Sequence, residues 1–126
     1  MSERVTMPAV GIGRTVEMSF DQAIERVEEL LQAEGFGILT RIDVQATMKQ
    51  KLDLDYPPFQ ILGACNPKLA HKALTEEPSV SLMMPCNVVV RVTDEGKTRV
   101  DLVNPEAMTA PFPQADLSEM VNEAGE

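Results

Sequence analysis

The amino-acid sequence predicts a single compact α+β domain, with a mainly antiparallel sheet packed against helices in a two-layer arrangement. Segments with helical spacing alternate with short strand-like segments over most of the chain, and a β-hairpin pattern follows. The chain has 126 residues, of which 44% are hydrophobic, so it is long enough to bury one core of its own. We assign residues 1–110 to this domain and residues 111–126 to an acidic C-terminal tail with a short helix.

The first strand and the first helix follow from alternation and capping. Residues 9–18 alternate imperfectly between apolar and other side chains, which is typical of a strand. Ser19 and Gln22 have the spacing of a capping box, so a helix should begin at Phe20. That helix carries one continuous apolar stripe, and Gly35 favours the left-handed geometry that ends it.

A strand, a short helix and another strand are expected next. Residues 36–42 form a short, mainly apolar strand, in which Gly37 marks a bulge or a close backbone approach. Asp43 is a natural N-cap for a helix over residues 44–52. Residues 59–64 then form a buried strand.

The last predicted elements are a third helix, a hairpin and a short terminal helix. Asn66 followed by proline supplies an N-cap and a first helical position for the third helix. Residues 87–92 and 98–103 flank a polar turn, and each strand can present an apolar face to the helices. Residues 117–121 are predicted to form an amphipathic helix in the tail.

Charge and composition exclude several classes of partner. There are 20 acidic and 11 basic residues, a net charge of −9, which argues against a surface that follows nucleic-acid phosphates. No apolar run approaches the roughly 20 residues needed to cross a bilayer, and the start of the chain lacks the apolar segment of a secretory signal. We therefore expect a cytoplasmic protein with neither nucleic-acid nor membrane partners.

Two cysteines, each followed by asparagine, are the candidate chemical groups. Cys65 ends a predicted strand just before a helix N-cap, where open backbone N–H groups and the helix dipole stabilise a thiolate or an anion. Lys68 adds positive charge there, and Cys86 is a candidate resolving or co-ligating partner. The candidate catalytic residues are thus Cys65 and Cys86. The expected ligand-binding residues are Cys65, Asn66, Lys68, Cys86 and Asn87.

A structural interpretation stands beside the chemical one. Free cysteines are often buried as small hydrophobic residues, and Asn66 is adequately explained as a cap. His71 is the only histidine, which excludes sites built from several histidines, and no nucleotide-binding or cofactor motif is present. Met83 and Met84 fit core packing better than copper ligation. The sequence therefore identifies neither a metal nor a cofactor.

Three runs of sequence, residues 35–44, 61–67 and 82–90, resemble the bacterial and archaeal domain-of-unknown-function family numbered 302. They include the segments GACNP and PCN, and the likeness spans about residues 11–108. The resemblance implies a compact α+β domain that tends to form homodimers. The family has no assigned activity, and the tail after residue 110 lies outside the likeness.

Three functions are compatible with these features. The first is a small dimeric ligand-binding or sensory domain whose pocket forms where the turn at residues 65–67 meets the turn at residues 85–87, and whose ligand is a small, anionic or sulfur-containing molecule. The second is a thiol redox or sulfur-transfer enzyme with Cys65 as nucleophile and Cys86 as resolving residue. The third is a structural dimer with both cysteines in the core. Whether the protein is an enzyme stays open at this point.

Overall fold

A computed structural model describes residues 11–103, which form five strands, three α-helices and one 3₁₀ helix. The predicted tail helix and the domain boundary at residue 110 lie outside this range. In chain order the elements are β1 (Gly11–Val16), α1 (Phe20–Ala33), β2 (Gly37–Asp43), α2 (Val44–Leu52), β3 (Phe59–Cys65), α3 (Pro67–Glu76), the 3₁₀ helix (Pro78–Met83), β4 (Cys86–Val92) and β5 (Thr98–Val103).

The five strands form one antiparallel sheet in the order β1-β5-β4-β3-β2. The predicted hairpin is present as β4 and β5, and β1 adds to its outer side. The predicted α+β class with a mainly antiparallel sheet is confirmed. No helix within residues 11–103 has the length and apolar character needed to cross a membrane.

The helix ends lie where capping chemistry places them. The Ser19 hydroxyl accepts a hydrogen bond from the Gln22 backbone N–H, and the Gln22 side chain accepts one from the Ser19 N–H, both at 3.2 Å. Gly35 follows α1 with a φ of +86°, the left-handed conformation that glycine adopts at low cost. The Asp43 carboxylate accepts a hydrogen bond from the Ala46 N–H at 2.9 Å and so caps α2.

Two local features differ from the sequence predictions. The irregularity in β2 lies at Leu39, not at Gly37, because Ile38 pairs with Ala64 and Thr40 with Gly63, which leaves Leu39 with no partner in the register. The 3₁₀ helix at Pro78–Met83 was not predicted, since a six-residue segment is too short to show periodicity.

The core lies between one face of the sheet and the helices. Leu62, Val88 and Val90 are almost fully buried on that face, and Ala23 of α1 is buried with 1% of its surface exposed. In the hairpin, Val88 pairs with Leu102, so the apolar faces of the two strands coincide as predicted. A second part of the core forms under α3 and the 3₁₀ helix, and its buried members are Phe36, Ala64, Leu69, Ala73 and Val80.

Candidate functional site

The two cysteine-asparagine segments lie side by side at one end of the sheet. Ala64 of β3 pairs with Cys86 of β4, and Gly63 pairs with Asn87. β4 therefore begins at Cys86, one residue before the predicted strand 87–92, and the turn expected at residues 85–87 is wrong because Cys86 and Asn87 belong to the strand. The reason is that β3 extends far enough to supply register partners for both residues.

The two thiols point to opposite faces of the sheet. Cys86 shares a face with its partner Ala64, and Cys65 follows Ala64 on the same strand, so its side chain lies on the other face. Neither cysteine forms a disulfide. Because the two Cβ directions diverge, a bond between these sulfurs would need backbone movement. This geometry argues against a redox cycle in which Cys86 resolves an adduct on Cys65.

The electrostatic surroundings of both cysteines disfavour the thiolate. Burial raises the pKa of Cys65 above its usual value. Burial also raises the pKa of Cys86, and the nearby Cys65 thiolate raises it further. The Cys65 thiolate expected from the position before α3 is therefore not favoured, because the pKa shift has the opposite direction. Neither cysteine has the environment of an activated nucleophile.

Asn66 explains why the start of α3 does not stabilise the thiolate. Its side-chain oxygen accepts hydrogen bonds from the backbone N–H groups of Lys68 at 3.1 Å and Leu69 at 3.2 Å. Those two donors are the groups that a thiolate or an anion would otherwise use. Asn66 is therefore a helix cap, and the Lys68 side chain lies on the exposed first turn of α3.

A cleft of about 650 Å³ lies between α1 and the sheet. Its walls are mainly aliphatic, and they come from α1 on one side and from β1, β4 and β5 on the other. Cys86 and Asn87 lie on its lining, whereas Cys65, Asn66 and Lys68 do not. Of the five expected ligand-binding residues, the structure therefore brings only two to this cleft.

Sequence reasoning missed the α1 side of the cleft. Leu30 and Leu31 belong to the same apolar stripe and both line the cleft, yet Leu31 also packs against the core, whereas Leu30 keeps 50% of its surface exposed. Helical periodicity finds the stripe but gives no sign of which residues the sheet leaves uncovered. Ile12 of β1 and Leu102 of β5 line the same cleft and are 54% and 38% exposed.

The described residues provide no obvious metal centre. Within residues 11–103 no three His, Cys, Asp or Glu side chains come together in a group that could hold an ion. His71 is exposed on α3, and Met84 packs against the core cluster beside Cys86. Met84 therefore has the packing role that the sequence favours over copper ligation.

Comparison with known proteins identifies relatives without an assigned activity. The sequence model of a family described as "Domain of unknown function DUF302" matches residues 12–126, and so it extends through the tail. The crystal structure of an uncharacterized conserved DUF302 protein from Bacillus stearothermophilus is similar to this chain, with a TM-score of 0.79 and 28% sequence identity. The similarity covers 91% of this chain and 92% of that chain. No curated protein matches the sequence.

Proposed function

This chain belongs to the DUF302 family, and we propose that it acts as a binding or sensory domain for a small molecule held between α1 and the sheet. A cleft of about 650 Å³ lies within the usual size range of small-molecule sites. Such sites are typically concave and lined mainly by apolar side chains, with a few polar groups. The proposal moves the site from the cysteine segments to the neighbouring α1 side of the sheet.

The single observation that carries this proposal is the exposure of large aliphatic side chains inside a concave surface. Ile12, Leu30 and Leu102 all line the cleft, and each keeps between 38% and 54% of its surface in contact with solvent. Burial of apolar surface is favourable by about 25 cal/mol per Å². A ligand with an apolar part would remove this surface from water, because three separate elements already surround it.

Cys86 and Asn87 keep a place in the proposed site as lining residues contributed by the start of β4. Cys86 would contact the ligand as a protonated thiol, since its pKa is raised by burial and by the Cys65 thiolate. The proposal therefore treats Cys86 as a packing surface and not as a nucleophile. It favours binding over thiol chemistry, in contrast to the redox alternative.

Binding of the uncharged fluorescent probe N-phenyl-1-naphthylamine tests this proposal. We expect saturable fluorescence enhancement with the wild-type protein, and about tenfold weaker binding after Leu30→Gln because an apolar contact is lost. Leu82→Gln is the matched control, because Leu82 is 84% exposed and does not line the cleft. Equal losses in the two variants, or no saturable binding, would overturn the proposal.

The proposal includes a cytoplasmic location and a homodimer. The cytoplasmic location is supported by the two cysteines, which form no disulfide, because secreted proteins more often use cysteines in disulfides. The homodimer is supported by the family resemblance.

Light scattering coupled to size-exclusion chromatography tests the homodimer directly. A mass near twice 13.8 kDa is expected, and a mass near 13.8 kDa at all concentrations would contradict it.

A further inference from the structure

The positively charged side chains that line the cleft lie apart from the negatively charged one. Arg14 of β1 and Arg26 of α1 are its two cationic lining residues, and Glu34 is its one acidic lining residue. Glu34 is the C-cap of α1, a little over two helical turns beyond Arg26. At 1.5 Å per residue, this separation is about 12 Å along the helix. Arg14 and Arg26 both lie nearer to the connection between β1 and α1 than Ile12 and Leu30 do, so the two cations lie toward that end of the cleft and Glu34 lies toward the other.

Both arginines have donors available to a ligand. Arg14 forms no ion pair with any residue in the range 11–103. Arg26 contacts Glu29 through one nitrogen at 3.3 Å, and both side chains of that pair are mostly exposed. An exposed pair of this kind contributes little, and a guanidinium has five N–H donors. Arg26 can therefore bind an anion while keeping its contact with Glu29.

Each arginine lies next to one of the half-exposed aliphatic side chains. Ile12 and Arg14 are two residues apart on β1, so they lie on the same face of the strand. Arg26 and Leu30 are four residues apart on α1, so they are neighbours on the helix surface. On both walls of the cleft, an arginine therefore lies beside a half-exposed aliphatic side chain.

From this arrangement we infer that the ligand of the cleft is an amphipathic anion, a molecule with an aliphatic chain and an acidic head group. The head group binds Arg14 and Arg26, and the chain covers Ile12, Leu30 and Leu102. This inference rests on the proposed function, because it names the class of ligand that the same cleft binds.

The net charge of the protein opposes the binding of an anion. A formal charge of −9 repels anions at long range, so long-range electrostatics alone would favour an uncharged ligand over an anion. At physiological ionic strength the screening length is about 8 Å, which leaves the nearby arginines to dominate the interaction with a bound head group. Preference for an anion over a neutral analogue would therefore come from the cleft itself.

Decanoate and decanol form a matched pair of probes for this test, since they share the aliphatic chain and differ in the charged head group. Their dissociation constants are measured by displacement of N-phenyl-1-naphthylamine at pH 7. We expect decanoate to bind about tenfold more tightly than decanol. Arg14→Gln and Arg26→Gln should each remove most of that preference. Lys51→Gln is the control, because Lys51 lies on α2 outside the cleft and carries the same charge.

The possible outcomes separate this inference from the proposed function. If decanol displaces the probe but decanoate binds no more tightly, the cleft binds apolar molecules and the inference about the head group is overturned. If Lys51→Gln reduces the preference as much as the arginine variants, the effect is one of net charge, and the inference again fails. If neither compound displaces the probe, the proposed function itself is contradicted. Loss of the preference only in Arg14→Gln and Arg26→Gln supports both the inference about the head group and the proposed function.

Discussion

Ala64 on β3 and Cys86 on β4 are register partners, and their pairing determines how the two cysteines relate to each other. It places Cys86 on the helix-covered face of the sheet, where it packs against the core cluster. It also places Cys65, the residue after Ala64, on the opposite face. The two sulfurs are therefore close enough for charge on one to affect the other, but their directions are unsuited to a disulfide.

The effect of Cys65 ionisation on the pKa of Cys86 is measurable by alkylation as a function of pH. The less buried Cys65 should lose its proton first, so Cys86 titrates beside a thiolate that raises its pKa. We expect Cys65→Ser to lower the alkylation midpoint of Cys86. Cys86→Ser should leave the midpoint of Cys65 nearly unchanged, since burial is the cause of its shift. Mass spectrometry resolves the two sites. An unchanged Cys86 midpoint in Cys65→Ser would contradict the coupling.

The raised cysteine pKa values also predict how stability depends on pH. Above the usual thiol pKa of about 8.5, the unfolded chain loses protons that the folded chain still holds. The free energy of unfolding should therefore fall as the pH rises from that value through the raised pKa values of the folded state. Urea unfolding between pH 7 and 10 measures this decline. The double variant Cys65→Ser, Cys86→Ser should show a shallower decline than the wild type, and equal slopes would argue against cysteine ionisation as its cause.

Gly63 occupies a position in β3 that has no room for a side chain. A Cβ atom there would overlap the Thr40 hydroxyl and lie 2.8 Å from Cγ of Pro85. We expect Gly63→Ala to lower the free energy of unfolding by about 1–3 kcal/mol, as overpacking usually does. Gly37→Ala is the matched control on β2, because a Cβ atom there meets nothing within 4 Å. Chemical denaturation of both variants checks this, and similar stabilities would show that Thr40 and Pro85 move aside without cost.

Asn66 is predicted to act as a cap and not as a ligand contact. Removing its side-chain oxygen in Asn66→Ala should cost about 1 kcal/mol of stability, because the N–H groups of Lys68 and Leu69 lose their acceptor. Asn66→Asp retains an acceptor and should remain close to the wild type. Affinity for N-phenyl-1-naphthylamine should be the same in both variants, since Asn66 does not line the cleft. A loss of affinity in folded Asn66→Ala would contradict this separation of roles.

The sequence predicts most of the fold because local signals agree with the tertiary structure. Ser19, Asp43 and Asn66 are each followed by a helix, and each accepts the capping hydrogen bond that its side chain favours. The site is harder to predict, since it depends on which parts of an apolar face stay uncovered. Leu30 and Leu31 are the same residue type at adjacent positions, and only the packing of α1 on the sheet distinguishes them.

The surroundings and directions of the two cysteine side chains are also beyond what the sequence predicts. The sequence indicates that Cys65 precedes a helix start, but it does not reveal that the Asn66 side chain occupies the open N–H groups there. It also gives no strand register, so it does not reveal that Cys65 and Cys86 lie on opposite faces. The order of elements follows from local chemistry, whereas the direction of each functional side chain follows from pairing across the sheet.

Methyl NMR during a decanoate titration shows whether a ligand binds in the cleft between α1 and the sheet. We predict that the methyl resonances of Ile12, Leu30 and Leu102 shift together and saturate at one affinity. The methyl resonances of Leu82, which is exposed outside the cleft, should stay in place. Shifts confined to Leu82 and other exposed positions away from the cleft, or no saturable shift at all, would contradict ligand binding in this cleft.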